Sequence, residues 1–208
     1  MADLTSRYPN NPANAEPQHT TIDFKVITPT ITSETNSGKK RRVGQGISYY
    51  TWTLKYPPLT PREVGPINGF VAFTQGPLYS FEIVLPEISY SKCLSNPANI
   101  VLSTSIPIGT MRANVSCGSG NVEVIRAGDY FKFNNHSKVY QAAINCNSDA
   151  TGNAVLFFGS PTVSNVASAT TLIVNAVPFT AIVDNTEQET TVGFGGMTEV
   201  EVKMREVW

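Results

Sequence analysis

Histidine and cysteine are scarce in this chain, and so is charge. Its 208 residues include two histidines, His19 and His136, and three cysteines, Cys93, Cys117 and Cys146. The cysteines are widely spaced and form no C-x-x-C pair. An odd, scattered set argues against a disulfide framework or a zinc site and fits a reducing compartment. No G-x-S-x-G segment is present, and nothing local suggests a Ser/His/Asp or Cys/His arrangement. The chain therefore reads as a non-enzyme with no catalytic residues, no metal and no cofactor. Charged residues make up 15% of it, against roughly 25% in ordinary soluble domains. Net charge is −1, so there is no global electrostatic case for nucleic acid or an anionic membrane. No apolar run approaches a membrane span, and Met1-Ala-Asp-Leu-Thr5 lacks the layout of a secretory signal. A soluble protein made in the cytoplasm is expected.

What is present is strand-forming. Hydrophobic residues account for 41% of the chain, enough for a packed core. From Ile47 to Tyr56 the sequence alternates: Tyr50, Trp52, Leu54 and Tyr56 share one face, and Tyr49, Thr51, Thr53 and Lys55 the other. That period of two predicts a strand with one buried side. Phe24 to Ile27, Leu78 to Leu85, Pro178 to Val183 and Met197 to Val207 read as further strands. Thr60-Pro-Arg-Glu63 is a helix-start signature, with Thr60 as cap, Pro61 at the first helical position and Glu63 closing a capping box. Val64, Ile67, Val71, Phe70 and Phe73 supply an apolar stripe. Gly65, Pro66 and Gly69 weaken it, so a short or distorted helix is expected.

The character changes after Pro86. Short apolar runs, among them Ile100–Leu102, Asn121–Ile125, Tyr130–Phe133 and Ala154–Phe158, alternate with Gly, Ser, Asn and Pro clusters, the pattern of a small barrel or sandwich. The fold class is mainly β: a β-sandwich with one short α-helix, plus an inserted small β-barrel. The predicted organisation is an extended arm over 1–19, a discontinuous sandwich over 20–92 and 177–208, and the insert over 93–176.

Three segments invite a functional reading. Lys39-Lys40-Arg41-Arg42 is the strongest charge run. It reads as a solvated loop first, as a candidate contact to a subunit or partner second, and as a nucleic-acid patch last. Gly193-Phe-Gly-Gly196 is followed by no helix, so it reads as a turn rather than a phosphate cradle. Ala127-Gly128-Asp129, running into Tyr130–Phe133 and returning through Lys138-Val139-Tyr140, predicts a β-hairpin with His136 in its turn.

Several of these segments in order resemble the distal tail proteins of tailed bacteriophages, in the form found in T5-like siphophages. The likeness is carried by the aromatic strand Ile47–Tyr56, by Tyr56-Pro-Pro-Leu59 with the helix, and by Phe81-Glu-Ile-Val-Leu-Pro86. It continues through the Ala127-Gly128-Asp129 and Lys138-Val139-Tyr140 hairpin and closes with Val200–Glu206. The resemblance implies a homohexameric ring that joins the tail tube protein to the baseplate hub or tail-tip proteins. DNA would leave through the ring's central opening without specific binding. It also implies that the insert is an OB-like barrel on the outside of the ring, and that the chain is located in the virion. Because OB folds often bind saccharides, a host surface saccharide is a possible partner. A carbohydrate-binding module acting through the barrel is the alternative reading.

Overall fold

The computed structural model describes residues 19–44, 46–93, 95, 97, 99–184, 191–192 and 196–208. The arm expected over 1–19 lies outside the described residues except for His19, and the Gly193–Gly196 turn does so except for Gly196. The described residues are mainly β, with one α-helix among them. In order, the elements begin with β1 (Thr21–Ile27), β2 (Thr30–Glu34), β3 (Lys40–Gly44), β4 (Tyr49–Lys55), α1 (Pro61–Thr74) and β5 (Phe81–Ile83). Next come β6 (Ile100–Leu102), β7 (Arg112–Ser116), β8 (Glu123–Ile125), β9 (Tyr130–Phe133), β10 (Val139–Gln141) and β11 (Cys146–Asn147). The last are β12 (Asn153–Phe157), β13 (Thr171–Ile173), β14 (Phe179–Val183), β15 (Thr191–Val192), β16 (Thr198–Glu199) and β17 (Glu201–Glu206).

These elements form two compact units. The first comprises residues up to Ile27, then Tyr49–Ile83 and Thr180–Val207; the second comprises Thr28–Ser48, Val84–Phe179 and Trp208. The boundaries differ from those read in the sequence. Residues 28–48 and 84–92 belong with the barrel rather than with 20–92. Hydrogen bonds explain the difference: Ser48 N–H donates to Ser160 Oγ, Val177 N–H to Ser89 O, and Ser91 Oγ to Asp129.

In the first unit a five-stranded sheet runs in the order β1-β4-β17-β14-β5. β4 shows the alternation expected of it: Tyr50, Trp52 and Leu54 are buried, and the residues between them are half-buried. Phe24 of β1 stacks on Tyr50 and Trp52 at 5.4 and 6.1 Å, and Val202 and Met204 of β17 sit opposite Leu54 and Trp52. β1 and β5 are the outer strands, so each has a partner on one side only within this sheet.

Helix α1 starts as the sequence predicts. The Glu63 carboxylate accepts the Thr60 N–H at 2.9 Å and its hydroxyl at 2.7 Å. The helix is longer than expected, running 14 residues straight through Pro66. Pro66 removes one N–H from the ladder. Burial of Val64, Ile67, Val71 and Thr74 along one stripe outweighs that loss. Phe70 packs edge-on against Phe81 at 4.9 Å, whereas Phe73, expected on the stripe, is half exposed. Gln75 and Gly76 then take positive φ and end the helix. A Cβ at Gly69 would meet nothing within 4 Å, and its φ is ordinary. Gly69→Ala should therefore raise stability by about 0.5–1 kcal/mol through helix propensity. Urea unfolding followed by circular dichroism checks it, and an unchanged or lower midpoint counts against this account of the helix.

The second unit holds a six-stranded antiparallel sheet in the order β10-β9-β13-β6-β7-β12. The ends meet: Ala142 bridges Phe158, Ala143 N–H donates to Phe157 O, and Gly159 N–H donates to Gln141 O. The sheet is thereby closed at that end into a barrel. The small barrel expected of this region is present, with six strands where an OB fold has five. Four rings fill it. Phe131, Phe133, Tyr140 and Phe158 have centroids between 5.3 and 6.2 Å apart in every pairing.

Candidate functional site

The β9–β10 hairpin forms with Val139 opposite Lys132, Tyr140 opposite Phe131 and Gln141 opposite Tyr130. Each residue of its entry turn has a physical task. Asp129 N–H donates to Arg126 O at 3.0 Å, which closes a four-residue turn. Gly128 is the third residue of that turn and has φ of 90°, the left-handed conformation that favours glycine there. Ala127 N–H donates to Asn145 Oδ1 at 2.9 Å, and Gln141 Nε2 donates to Gly128 O at 3.2 Å.

The Asp129 side chain is 1% exposed. Its carboxylate accepts Ser91 Oγ at 2.9 Å, the Lys92 N–H at 3.1 and 3.2 Å, and the Arg126 N–H at 3.4 Å. A buried carboxylate surrounded by donors organises backbone from two distant stretches of chain. Nothing local in the sequence announces this, because Ser91 and Asp129 lie 38 residues apart.

The return strand holds the other half of the motif. Lys138 is fully buried, and its ammonium lies 4.5 Å from the centroid of the Trp208 ring, a cation–π contact. Val139 and Tyr140 are also fully buried. The Tyr140 hydroxyl accepts the Val163 N–H at 3.1 Å and lies 2.8 Å from His136 Nε2. His136 Nδ1 is 2.7 Å from Asn135 Oδ1 and 3.2 Å from Ser164 Oγ.

Burial, with the charges of Lys132 and Lys138 adding to it, lowers His136 from 6.5 to about 4. The imidazole is thus neutral at pH 7 and stays so well into the acid range. The unfolded chain binds a proton near 6.5, so stability should fall as pH drops from about 6.5 to about 4 and level off below. His136→Gln should remove that part of the slope. Unfolding midpoints of both proteins across this range test it, and parallel profiles contradict it.

The remaining candidates scatter. Only Lys39 of the basic run lies in a turn, the hairpin's tip: Lys40, Arg41 and Arg42 lie in β3, paired with Glu34, Ser33 and Thr32 of β2. The alternating runs Thr30–Glu34 and Lys40–Gly44 satisfy each other's backbone groups, which a solvated loop would not do. The only ion pair there among the described residues is Lys40 to Glu34, at 4.0 Å and exposed. His19 sits edge-on to Tyr56 at 6.5 Å. The cysteines are buried free thiols. Cys146 is pushed up to about 11, by burial first and by Cys117 second, which makes it a poor nucleophile. Among the described residues no three His, Cys, Asp or Glu side chains gather as metal ligands. No helix among them is long and apolar enough to cross a membrane.

A shallow depression on the barrel is lined by Ser103, Thr104, Asn114, Asp149 and Asn153, with no aromatic side chain. Asp149 is occupied with its own loop, accepting the Thr151 N–H and hydroxyl and the Asn153 N–H. The sites that the sequence singles out therefore resolve into a buried structural hairpin and an exposed basic one. No protein-family model matches the chain, and no curated protein matches it.

Proposed function

We propose that this chain is a structural protein of a phage tail, a hexameric ring that connects the tail tube to the tip or baseplate hub and leaves a central opening for DNA. The observation that carries the reading is the architecture. A discontinuous sheet unit with one helix is interrupted by a barrel, in the order of the segments that resemble distal tail proteins. Two further features support it. The five-stranded sheet ends in β1 on one side and β5 on the other, so copies placed head to tail have backbone edges to satisfy. The low charge content suits subunit contacts, whose cores are depleted of charge. A near-neutral chain also lets a polyanion pass without trapping it.

Saccharide binding through the barrel has less behind it. Sugar-binding surfaces present aromatic platforms; the depression on the barrel is lined by none, and the exposed Phe157 ring of β12 carries the Arg112 guanidinium 5.7 Å from its centroid. Labelling of tailed particles that carry this chain, with an antibody raised against it, tests the reading. Label at the junction of tube and tip is the expected result. Label along the whole tube, on the capsid, or nowhere on the particle rejects it.

A further inference from the structure

The hairpin of β2 and β3 is exposed on both of its faces. A two-stranded hairpin with no packed face is marginal in water. Its two faces are chemically different. Register places Ile31 opposite Val43 and Ser33 opposite Arg41 on one face, and Thr32 opposite Arg42 and Glu34 opposite Lys40 on the other. Ile31 is 54% exposed and Val43 62%. The first face is thus an apolar cross-strand pair beside a guanidinium. The hairpin's tip is firmly made: Lys39 O accepts both the N–H and the hydroxyl of Thr35, Gly38 N–H donates to Thr35 O, and Gly38 takes φ of 77°.

A surface of matching chemistry lies at the C-terminal end of α1. Phe73, Leu78 and Tyr79 are 50%, 64% and 44% exposed, and the Tyr79 N–H donates to Thr74 O, which holds the segment against the helix end. The last turn of α1 contains no basic residue. A helix C-terminus carries a partial negative charge that favours a cation, and exposed aromatic rings offer a second place for a guanidinium.

We infer that the β2–β3 hairpin of one copy docks on the C-terminal end of α1 in a second copy. Ile31 and Val43 lie against Phe73, Leu78 and Tyr79, and Arg41 reaches the helix end. The proposal rests on the ring reading, since a contact between two different patches of identical chains propagates head to tail and closes as a ring when the rotation between successive copies divides a full turn. It assigns the basic run to assembly: Arg41 faces the neighbour, while Lys40 and Arg42 face away from it.

Cysteine trapping tests this inference separately from the ring. Val43→Cys and Leu78→Cys are made singly, both at exposed positions, and the native thiols are buried. The two variants are mixed and oxidised, alone and with the neighbouring tail proteins, and each sample is also imaged. The expected result is a mixed disulfide that joins one variant to the other. It should be roughly tenfold more abundant than a disulfide between two copies of either variant, as a contact favoured by about 1.4 kcal/mol gives. Six-fold rings without the mixed disulfide overturn the docking and leave the ring reading standing. The mixed disulfide without rings keeps the docking and removes the ring. Neither disulfide nor rings removes both. As a second measurement, Ile31→Asp with Val43→Asp should weaken self-association on the order of a hundredfold by sedimentation, with unchanged circular dichroism. Association equal to wild type also overturns the docking.

Discussion

Asp129→Ala is expected to cost the barrel unit about 3–5 kcal/mol, because it leaves several partly buried donors without their charged acceptor at once. The Ser91 hydroxyl and the Lys92 and Arg126 N–H groups all converge on this carboxylate, which is nearly inaccessible to water. Asp129→Asn should cost less, because one amide oxygen remains to accept. Hydrogen exchange of the β9 and β10 amides is the suitable readout, since it reports on this unit rather than on the whole chain. Protection lowered by two or more decades in Asp129→Ala, with a smaller loss in Asp129→Asn, is the expected pattern. Unchanged protection would show that the carboxylate does not organise the hairpin, and its burial would then need a functional explanation.

Phe131→Ala should be as damaging, again by about 3–5 kcal/mol. Phe131 is fully buried, and its centroid lies 5.5 Å from those of Phe133 and Phe158 and 5.7 Å from that of Tyr140. Removing the ring leaves a cavity whose walls belong to a closed barrel. Closure matters here, because strands paired on both sides cannot slide inward independently to fill the space. Phe131→Leu keeps much of the volume and should cost roughly 1–2 kcal/mol. Thermal unfolding of the two variants measures the ratio. Equal small losses would mean that the barrel collapses around the void and that the four-ring cluster is not its structural centre.

How much of this is legible in the sequence depends on the range of the interaction. The alternation of β4 is local, and the buried Tyr50, Trp52 and Leu54 follow from it directly. The Thr60–Glu63 start of α1 and the β9–β10 hairpin are local too, and both form. Propensity misleads once packing intervenes. Pro66 and two glycines argue against a long helix, yet the stripe Val64, Ile67 and Val71 holds 14 residues in helix. Runs of like charge suggest a solvated loop, yet Lys40 to Arg42 find backbone partners in β2. Distance hides the rest. Barrel closure depends on β13 pairing with β6 and on Ala142 meeting Phe158, and no short window of sequence contains either contact. The second half of the hairpin motif is likewise explained from far away. Lys138 is buried beneath Trp208, 70 residues on. Ser89, Ser91 and Lys92 tie their stretch to the barrel unit and not to the sheet unit with which their composition groups them.

The account turns on whether identical copies of this chain close into a ring. Electron microscopy of the purified protein in negative stain, alone and mixed with the neighbouring tail proteins, asks this most directly. Six-fold rings with an open centre wide enough for duplex DNA, about 20 Å, are expected of the proposed connector; the major groove alone of such a duplex is about 12 Å wide. Particles that remain monomeric even with tube and hub proteins present would contradict it. The barrel would then be the part of the molecule to screen against glycans.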